Sequence, residues 1–309
     1  MELTPDCKVI IQGITEPAGR CHTPLMAAYG TQVVAGVSPG DGGSTVAGVP
    51  VFDLVEEVIE EGLGPVDTTV IFSPAFRAVD AALEAIAAGV RQVILMADGV
   101  PPLDMVHLVR KAEATETLVV GPNCPGIIVP GQVLLGMHPS SMYQPGPVGI
   151  VSRSSTLTYE VARSLTAAGI GQSIAVCVGP DRIVGSSLLQ WLQILDEDDT
   201  TEIIVLIGEV GGDSELMAAQ YITAAIDKPV VVYVAGQFVS REQGLGHADA
   251  IVASRLVGDI SAGQVVVDDI HRAFRKAKAC WVDRPSKIPN AVQRLLEKAR
   301  TAKHAPTDP

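Results

Sequence analysis

The sequence predicts an α/β protein in which helices flank a parallel, doubly wound sheet, and in which this pattern occurs twice. Short runs of Val and Ile alternate with Ala-rich stretches of helical periodicity, as in successive βαβ units. Of the 309 residues, 47% are hydrophobic but only 4% are aromatic, a composition typical of buried parallel strands. The length allows two domains of about 150 residues each.

The first half of the chain alternates regularly between strands and helices. Strands are predicted at residues 9–11, 32–34, 69–72, 93–96 and 118–120, and helices at 52–61, 75–88 and 102–112. From Gly121 to Pro147 the sequence is so rich in Gly and Pro that periodicity is lost for longer than in an ordinary loop. We therefore predict a first domain of residues 1–123 and a connector of residues 124–147.

The alternation restarts after the connector. Strands are predicted at residues 148–151, 174–177, 203–207 and 230–234, and helices at 156–167, 187–195 and 214–226. A later helix at 269–279, a short strand at 280–282 and a last helix near 289–302 complete the pattern. We assign residues 148–302 to a second domain and residues 303–309 to a disordered tail.

The charge balance argues against nucleic-acid and membrane partners. Twenty-two Lys and Arg residues against 35 Asp and Glu residues give a net charge of -13, the opposite sign from proteins that bind phosphate backbones or anionic lipids. No leader is evident at the N-terminus, and no apolar run reaches the ~18 residues that a membrane helix needs. Five cysteines without a CxxC pair favour reduced thiols over disulfides or zinc. We expect a cytoplasmic protein that holds no metal.

Polar, glycine-containing segments follow predicted strands, where open α/β sheets bind their ligands. In the first half these are Gly-Ile-Thr-Glu-Pro-Ala-Gly at 13–19 and Ser-Pro-Gly-Asp-Gly-Gly at 38–43. The amides of the first segment, at a helix start, favour a phosphate. Its spacing is not GxGxxG, so a plain strand-to-helix turn remains an alternative. The second segment by itself predicts only a turn.

The second half contains two such segments and a histidine loop. Ser-Arg-Ser-Ser-Thr at 152–156 is as consistent with a plain N-cap as with an anion site, and Gly-Glu-Val-Gly-Gly-Asp occupies 208–213. At 244–250, small residues surround His247, as a nucleophile approached by a bulky phosphoryl donor requires. A lone histidine is more often not a catalyst, but Glu209 is a candidate carboxylate to fix its tautomer.

Four longer motifs share their order and spacing with one family. They are Gly-Pro-Asn-Cys-Pro-Gly at 121–126, Ser-Arg-Ser-Ser-Thr-Leu-Thr-Tyr-Glu at 152–160, Ile-Gly-Glu-Val-Gly-Gly at 207–212 and Gly-His-Ala at 246–248. In these motifs the chain resembles the alpha subunits of succinyl-CoA synthetases, in the NDP-forming acyl-CoA ligase family. The resemblance implies an N-terminal CoA-binding Rossmann-like domain, followed by a flavodoxin-like, doubly wound ligase domain.

The resemblance also implies the chemistry. A nucleotide drives formation of an acyl phosphate from a small carboxylic acid, CoA displaces the phosphate to give the thioester, and the phosphoryl group passes through a histidine that matches His247. Glu209 matches the carboxylate that orients that imidazole, and Tyr159 matches a residue associated with the acid. A beta subunit of ATP-grasp fold, in a heterodimer or a heterotetramer, would hold ATP or GTP with Mg²⁺.

Binding residues follow from the same resemblance. A helix start that receives the phosphohistidine is formed by Ser152, Arg153, Ser154, Ser155 and Thr156. The expected CoA site is formed by Thr15, Glu16, Pro17, Ala18, Asp41, Ser73, Pro74, Met96, Ala97, Asp98, Asn123 and Cys124.

Part of the expected CoA site departs from the family pattern. The family's Thr-Gly-Ser-Gln-Gly turn is replaced after Thr15 by Glu16, Pro17 and Ala18, and Asp41 stands where a lysine usually meets a CoA phosphate. Like charges a few ångströms apart cost on the order of 1 kcal/mol. Two alternatives therefore stay open. One is a non-catalytic or regulatory alpha-like subunit that has lost normal CoA binding, and the other, less favoured, is an NAD-dependent oxidoreductase with Asp41 at the ribose.

Other departures lie in the second half. Ser155 and Asp249 stand where the family has glycine, and Gly-Pro-Asp-Arg at 179–182 replaces Gly-Gly-Asp-Pro. Extra sequence occurs around residues 257–267. The substitutions each add bulk or charge to loops that the resemblance assigns to phosphate handling, whereas no role is assigned to the extra sequence.

Overall fold

The computed structural model describes residues 3–63, 65–210, 213–236 and 267–303. Within them, two sheets dominated by parallel pairing and flanked by helices confirm the predicted α/β fold class. The chain divides into two compact units. The first unit is Met1–Ser140 with Val176–Ser186, and the second unit is Ser141–Ala175 with Ser187–Pro309. The domain boundaries at residues 123 and 147 stay a prediction, because the loss of sequence periodicity defines them whereas spatial proximity defines the units.

The first sheet belongs to the first unit. Its strands are β1 (Lys8–Gln12), β2 (Gln32–Val37), β3 (Thr45–Val46), β4 (Val49–Phe52), β5 (Thr68–Ile71), β6 (Gln92–Leu95) and β7 (Leu118–Val120). They lie in the order β3-β4-β2-β1-β5-β6-β7, and each neighbouring pair is parallel except β3 with β4. The chain passes from β1 to β2 on one side and later to β5 on the other. The topological switch point therefore lies between β1 and β5.

Four helices cover this sheet in the described part of the first unit. They are α1 (Pro17–Tyr29), α2 (Val55–Glu60), α3 (Ala75–Ala87) and α4 (Pro102–Ala114). One core cluster joins β5 and β6 to α3 and α4 and includes Ile71, Ala82, Leu95 and Leu108. Full burial of each large aliphatic side chain contributes about 1.5–3 kcal/mol to folding. The sequence predicted a helix from residue 52, but residues 45–52 form the β3–β4 hairpin, and α2 begins only at Val55.

The stretch predicted as a connector contains a second antiparallel hairpin. Its strands are β8 (Gly126–Val129) and β9 (Val133–Gly136), both buried along their length. Gly126 has a φ of +92°, and a Cβ atom there would collide with the carbonyl oxygen of Leu135. Glycine therefore permits this close pairing. Periodicity did not predict these strands because the closely spaced glycines and prolines around them are typical of a loop.

The second sheet contains the strands predicted for the second half. They are β10 (Pro145–Ser152), β11 (Gln172–Cys177), β12 (Ile203–Glu209), β13 (Val230–Ala235) and β14 (Cys280–Trp281). The strand order is β14-β13-β12-β10-β11-β8-β9, and the pairs β10–β12, β12–β13 and β13–β14 are parallel. The helices are α5 (Ser155–Ala167), α6 (Leu188–Glu197), α7 (Ser214–Ala225), α8 (Val267–Lys276) and α9 (Ile288–Lys303).

Local sequence explains where α6 begins. The hydroxyl of Ser187 accepts the N–H of Gln190 at 3.2 Å, and the Gln190 side chain accepts the N–H of Ser187 at 2.9 Å. This reciprocal capping satisfies two amide donors that the helix itself leaves unpaired. Trp191 and Leu192 then enter the core as fully buried residues.

Two predictions concern residues that are largely outside the described part of the chain. The extra sequence at 257–267 lies outside it except for Val267, which begins α8, and the tail lies outside it except for Lys303, which ends α9. Among the helices that the structure describes, none is both long enough and apolar enough to cross a membrane.

Candidate functional site

A cavity of about 200 Å³ opens in the first unit at the carboxyl ends of β1, β2 and β5. It is lined by Gln12, Gly13, Glu16, Val37, Ser38, Pro39, Ser73, Arg77, Asp80, Ala81 and Glu84. This position is the switch point of the sheet, where open α/β sheets bind ligands. Two residues predicted for the CoA site, Glu16 and Ser73, therefore line the same cavity although they are far apart in sequence.

Glycines bring the backbone close together around this cavity. Gly13 has a φ of +72°, and a Cβ atom there would lie 2.7 Å from the backbone nitrogen of Ser73. A Cβ atom on Gly19 would collide with the carbonyl oxygen of Gly13. The chain thus turns tightly from β1 into α1, which begins at Pro17 with Glu16 as its N-cap residue. Pro suits this first helical position, where its missing N–H costs no hydrogen bond.

A chain of hydroxyl groups fixes a negative charge beside the cavity. The Oγ1 atom of Thr15 lies 2.6 Å from Oγ of Ser38, which donates to Oδ2 of Asp41 at 2.9 Å. The hydrogen bonds from Ser38 and Thr15 lower the pKa of the Asp41 carboxyl, and the charge of Arg20 lowers it further. Arg20 itself donates from Nε to the carbonyl oxygen of Thr15 at 2.9 Å. Asp41 is therefore ionised at neutral pH.

The cavity lining carries more carboxylates than cations. Glu16, Asp80 and Glu84 line it together with Arg77, whose Nη2 atom lies 2.9 Å from Oε1 of Glu16. Gln12, 2% exposed at the cavity floor, donates to the carbonyl oxygen of Ala81 at 2.9 Å. An incoming phosphate would therefore meet Arg77 only in competition with the carboxylate of Glu16.

Three cavity-lining residues, Arg77, Asp80 and Glu84, were not predicted from the sequence. They occur at i, i+3 and i+7 on α3, so they share one face of that helix. The spacing was visible in the sequence, but only the structure shows that this face points into the cavity.

The remaining expected CoA residues lie elsewhere in the first unit. Thr15 and Asp41 belong to the hydroxyl chain described above, Pro17, Pro74 and Asp98 are exposed, and Ala18, Ala97 and Asn123 are half-buried. Met96 and Cys124 are buried, and burial is the main factor that raises the pKa of the Cys124 thiol. The N–H of Asn123 donates to the carbonyl oxygen of Ala97 at 2.8 Å, which joins the ends of β6 and β7. A role for these residues in CoA binding stays a prediction.

In the second unit, the parallel pairing of β10 and β12 brings two predicted segments to one sheet edge. Ser152 lies opposite Ile207, so the segment 152–156, which leads from the end of β10 into the first turn of α5, lies at the same sheet edge as Glu209, the last residue of β12. Ser154 occupies the N-cap position without a side-chain cap hydrogen bond. Instead, Oγ of Ser152 accepts the N–H of Ser154 and donates to its carbonyl oxygen, both at 3.0 Å. A plain N-cap formed by the Ser154 side chain is therefore not what the structure contains.

A buried ion pair lies at the same edge. Nη1 of Arg153 is 3.5 Å from Oε1 of Glu215, and the two side chains are 10% and 0% exposed. The same Oε1 atom accepts the backbone N–H of Glu209 at 2.9 Å. Glu215 was not predicted as a site residue, because nothing in its local sequence distinguishes it from the other acidic residues of a helical first turn.

The other predicted residues of this region differ in exposure. Ser155, Tyr159 and Glu209 are half-buried, and Thr156 is exposed. His247 and Asp249 lie outside the described residues, as does the glycine pair at 211–212. Within the described ranges, no group of three or more His, Cys, Asp or Glu side chains could hold a metal ion.

Both halves of the chain match known family models. Residues 4–99 match the CoA binding domain, and residues 151–265 match the CoA-ligase family. The first match contains the turn after β1 and the cavity-lining part of α3. The second contains the start of α5, the end of β12 and His247.

Curated relatives match most of the chain. It is 45% identical over 245 residues to succinate–CoA ligase [ADP-forming] subunit alpha 2 of Archaeoglobus fulgidus, covering 79% of this chain and 84% of that protein. It is 40% identical over 294 residues to the succinate–CoA ligase [ADP-forming] subunit alpha of Aquifex aeolicus, covering 94% and 93%. The corresponding Staphylococcus aureus subunit is 45% identical over 246 residues.

Solved structures share the fold at lower identity. ATP citrate lyase from Methanothrix soehngenii superposes with a TM-score of 0.83 at 20% identity, over 100% of this chain and 52% of that chain. A dinucleotide-forming acetyl-coenzyme A synthetase of Ca. Korarchaeum cryptofilum gives a TM-score of 0.70 at 19% identity, over 90% and 58%. At these identities the likeness concerns the fold alone. The extent and identity of the curated matches, in contrast, show that the chain belongs to the family of succinate–CoA ligase alpha subunits.

Proposed function

We propose that this chain is the alpha subunit of an acid–thiol ligase that joins succinate or a similar small carboxylic acid to CoA, with conversion of ATP or GTP to the diphosphate. Relatives named as ADP-forming succinate–CoA ligase alpha subunits, at 40–45% identity, support the reaction class. The match of residues 4–99 to the CoA binding domain favours CoA over NAD as the ligand of the first unit.

One geometric observation carries the proposal. The start of α5 and the end of β12 are more than 50 residues apart in sequence, but adjacent parallel strands bring them to one sheet edge. A helix N-terminus presents backbone amides and a partial positive charge, which suit the oxygens of a phosphoryl group. Glu209, at the end of the neighbouring strand, can accept a ring N–H from a histidine. The edge thus combines an anion site with a tautomer-fixing carboxylate.

The proposed reaction balances in three steps. The γ-phosphorus of the nucleotide is attacked by a ring nitrogen of His247, a P–N bond forms, and the nucleoside diphosphate leaves. A carboxylate oxygen of the acid then attacks this phosphorus, and the P–N bond breaks to give the acyl phosphate. The CoA thiol loses its proton, its sulfur attacks the acyl carbon, and inorganic phosphate leaves as the C–O bond breaks and takes up one proton. The protein's part is chiefly positioning and electrostatic stabilisation.

Residue roles follow from this scheme. Glu209 holds the second ring N–H of His247, and residues 152–156 receive the phosphoryl group at the start of α5. Tyr159, on the second turn of the same helix, contacts the acid. In the first unit, CoA occupies the cavity at the switch point of the sheet, where the turn at Gly13 lets the CoA phosphates approach the backbone.

The proposal includes a partner. A beta subunit of ATP-grasp fold holds the nucleotide and Mg²⁺ and forms a heterodimer or a heterotetramer with this chain, in the cytoplasm. Support comes from the relatives, which are named as alpha subunits of a ligase.

Thioester formation by the complex tests the proposal. The chain is co-purified with a beta subunit and incubated with succinate, CoA and Mg²⁺ with ATP or GTP, and acyl-CoA is measured chromatographically. We expect acyl-CoA only when acid, CoA and nucleotide are all present. Calorimetric titration of the chain with CoA is the companion measurement. Absence of both thioester and CoA binding at millimolar CoA would favour a non-catalytic alpha-like subunit instead.

A further inference from the structure

Glu215 is a fully buried carboxylate that the reaction scheme above does not use. It lies in the first turn of α7, and its Oε1 atom contacts two other elements. This atom accepts the backbone N–H of Glu209 at 2.9 Å and lies 3.5 Å from Nη1 of Arg153. The Oε2 atom is buried without a hydrogen-bond partner in the described part of the chain. One carboxylate therefore bridges the end of β12 and the start of α5.

The backbone of β12 leaves room for this arrangement. A Cβ atom on Gly208 would lie 2.8 Å from Cγ of Glu215, closer than real Cβ contacts allow. Glycine at this position thus lets the side chain reach the neighbouring amide of Glu209. The location of Glu215 at a helix N-terminus is favourable for its negative charge.

Stability alone does not account for a charge in this place. Burial raises the pKa of the Glu215 carboxyl, which the charge of Arg153 and the amide of Glu209 only partly oppose. Buried ion pairs gain little over well-packed apolar residues of similar volume, because both charges lose their hydration. What the pair does supply is a defined geometry, since Arg153 and Glu209 are held relative to the same oxygen atom.

We propose that Glu215 is a positioning residue for phosphoryl transfer, holding the guanidinium of Arg153 and the main chain of Glu209 in fixed relation at the phosphate-handling edge. The inference rests on the proposed function, in which these two residues belong to the machinery. Orientation matters here because a displacement of about 1 Å can lower the rate of an oriented reaction about 100-fold. Glu215 itself touches neither substrate nor phosphate.

Substitutions of Glu215 test this in the complex with the beta subunit. For Glu215→Ala, we expect kcat to fall about 100-fold, while KM for acid, CoA and nucleotide changes by less than about threefold. Glu215→Gln keeps an oxygen that can accept the Glu209 N–H but has no charge to hold Arg153. It should therefore retain part of the activity, with kcat lower by about tenfold. The matched control is Glu202→Gln, an exposed position at the other end of β12, which should leave kcat unchanged.

A variant of the neighbouring strand separates the position of the carboxylate from its charge. Gly208→Ala retains both Glu215 and Arg153 but forces the carboxylate away from β12, so it should lower kcat as Glu215→Ala does. It also carries the test if Glu215→Ala does not fold. Wild-type kcat in the folded variants at positions 208 and 215 would overturn the inference. So would a rise in KM at unchanged kcat, since that would indicate substrate binding rather than positioning.

A crystal structure of the full-length Glu215→Ala chain decides the matter independently of activity. We expect the Arg153 guanidinium and the Glu209 main chain to move by about 1 Å or more from their wild-type positions. Unmoved groups would overturn the inference even where the wild-type complex forms thioester. If the wild-type complex forms none, the proposed function fails, and the crystallographic result alone decides whether Glu215 holds this edge.

Discussion

Two regions each contain an Arg–Glu pair, but one pair is exposed and the other is buried. The first region is the crevice, which is the cavity at the carboxyl ends of β1, β2 and β5, and the second is the sheet edge where β10 and β12 end. In the crevice, the side chains of Arg77 and Glu16 are 65% and 32% exposed. At the edge, those of Arg153 and Glu215 are 10% and 0% exposed. Exposed pairs contribute about 0–1 kcal/mol and are screened by salt, whereas removing one partner of a buried pair costs about 3–5 kcal/mol.

The difference shows how the same two residue types can serve different purposes. The Arg77–Glu16 pair can open at small cost, so a ligand phosphate can replace the carboxylate beside Arg77. The Arg153–Glu215 pair is largely shielded from bulk water, so opening it would leave a buried charge without its partner at a larger cost. We therefore expect changes in the crevice to alter affinity, and changes at the edge to alter the rate of chemistry.

The largest expected effect concerns the chemistry assigned to the second unit. Replacement of His247 by Asn should abolish transfer of radiolabelled phosphate from the nucleoside triphosphate to the alpha chain in the presence of the beta subunit. The reason is that the amide of Asn is not a nucleophile. Labelling is measured after denaturation and electrophoresis at alkaline pH.

His107→Asn is the matched control, because His107 is exposed on α4 in the first unit. This variant should be labelled as the wild type is. Labelling that persists in His247→Asn would reject His247 as the phosphoryl carrier, and with it the division of roles between the two regions.

Burial should have strong electrostatic effects in the first unit too, although the Arg77–Glu16 pair of that unit is exposed. His138 belongs to the first unit and is 3% exposed, with Nε2 3.0 Å from the carbonyl oxygen of Gly126. Burial lowers its pKa to about 4 from 6.5. Between these values the unfolded chain binds the proton and the folded chain does not. The free energy of unfolding should therefore fall by on the order of 3 kcal/mol as pH decreases from about 6.5 to about 4.

The measurement compares urea unfolding of the wild type and His138→Gln between pH 7 and pH 4.5. Gln retains a nitrogen donor for the Gly126 carbonyl oxygen but does not titrate, so its stability should decline less steeply with falling pH. His107→Gln, on an exposed helix face, should follow the wild-type curve. Parallel curves for wild type and His138→Gln would mean that burial does not control this group.

The smallest effect is expected in the crevice. Glu16→Gln removes a carboxylate that lines the cavity and pairs with Arg77, so CoA should bind about three- to tenfold more tightly, corresponding to about 1 kcal/mol. Calorimetry at two salt concentrations measures this. The gain should shrink at high salt because the charges are exposed.

Glu61→Gln provides the control of equal charge change, since Glu61 is exposed at the C-terminal end of α2 and does not line the cavity. Its CoA affinity should remain at the wild-type value. Weaker CoA binding by Glu16→Gln would mean that the carboxylate assists the ligand, for example by orienting Arg77, and would contradict the competition described here.

The core strands and most of the helices were predictable because their signal is local. Residues 203–207 form a continuous run of Ile, Val and Leu, and the structure buries all of them in β12. The β3–β4 and β8–β9 hairpins were missed because glycines and prolines within and beside these strands, such as Gly48, Pro50 and Pro130, are typical of loops. Their pairing depends on distant neighbours, as when the Thr31 hydroxyl donates to the carbonyl oxygen of Leu134 at 2.7 Å.

The site residues also fall into those that local sequence predicted and those that depend on contacts between distant segments. Glu16, Asp41 and the segment 152–156 follow strands and contain recognisable turn and cap residues, so sequence reasoning identified them. Arg77 and Glu215 have unremarkable helical surroundings in the sequence. Their importance arises from what lies across from them, namely Glu16 at 2.9 Å and the Glu209 amide at 2.9 Å.

By itself, the sequence determined the fold class, the strands that end in polar segments and, through its motifs, the family. These properties depend on residue order, hydrophobic period and turn chemistry, all of which act over a few neighbouring residues. Only the tertiary structure decided which charges oppose one another in the crevice, and that one buried carboxylate joins β12 to α5. Such pairings require segments distant in sequence to meet in space, and burial then determines whether a pair stays adjustable or becomes fixed.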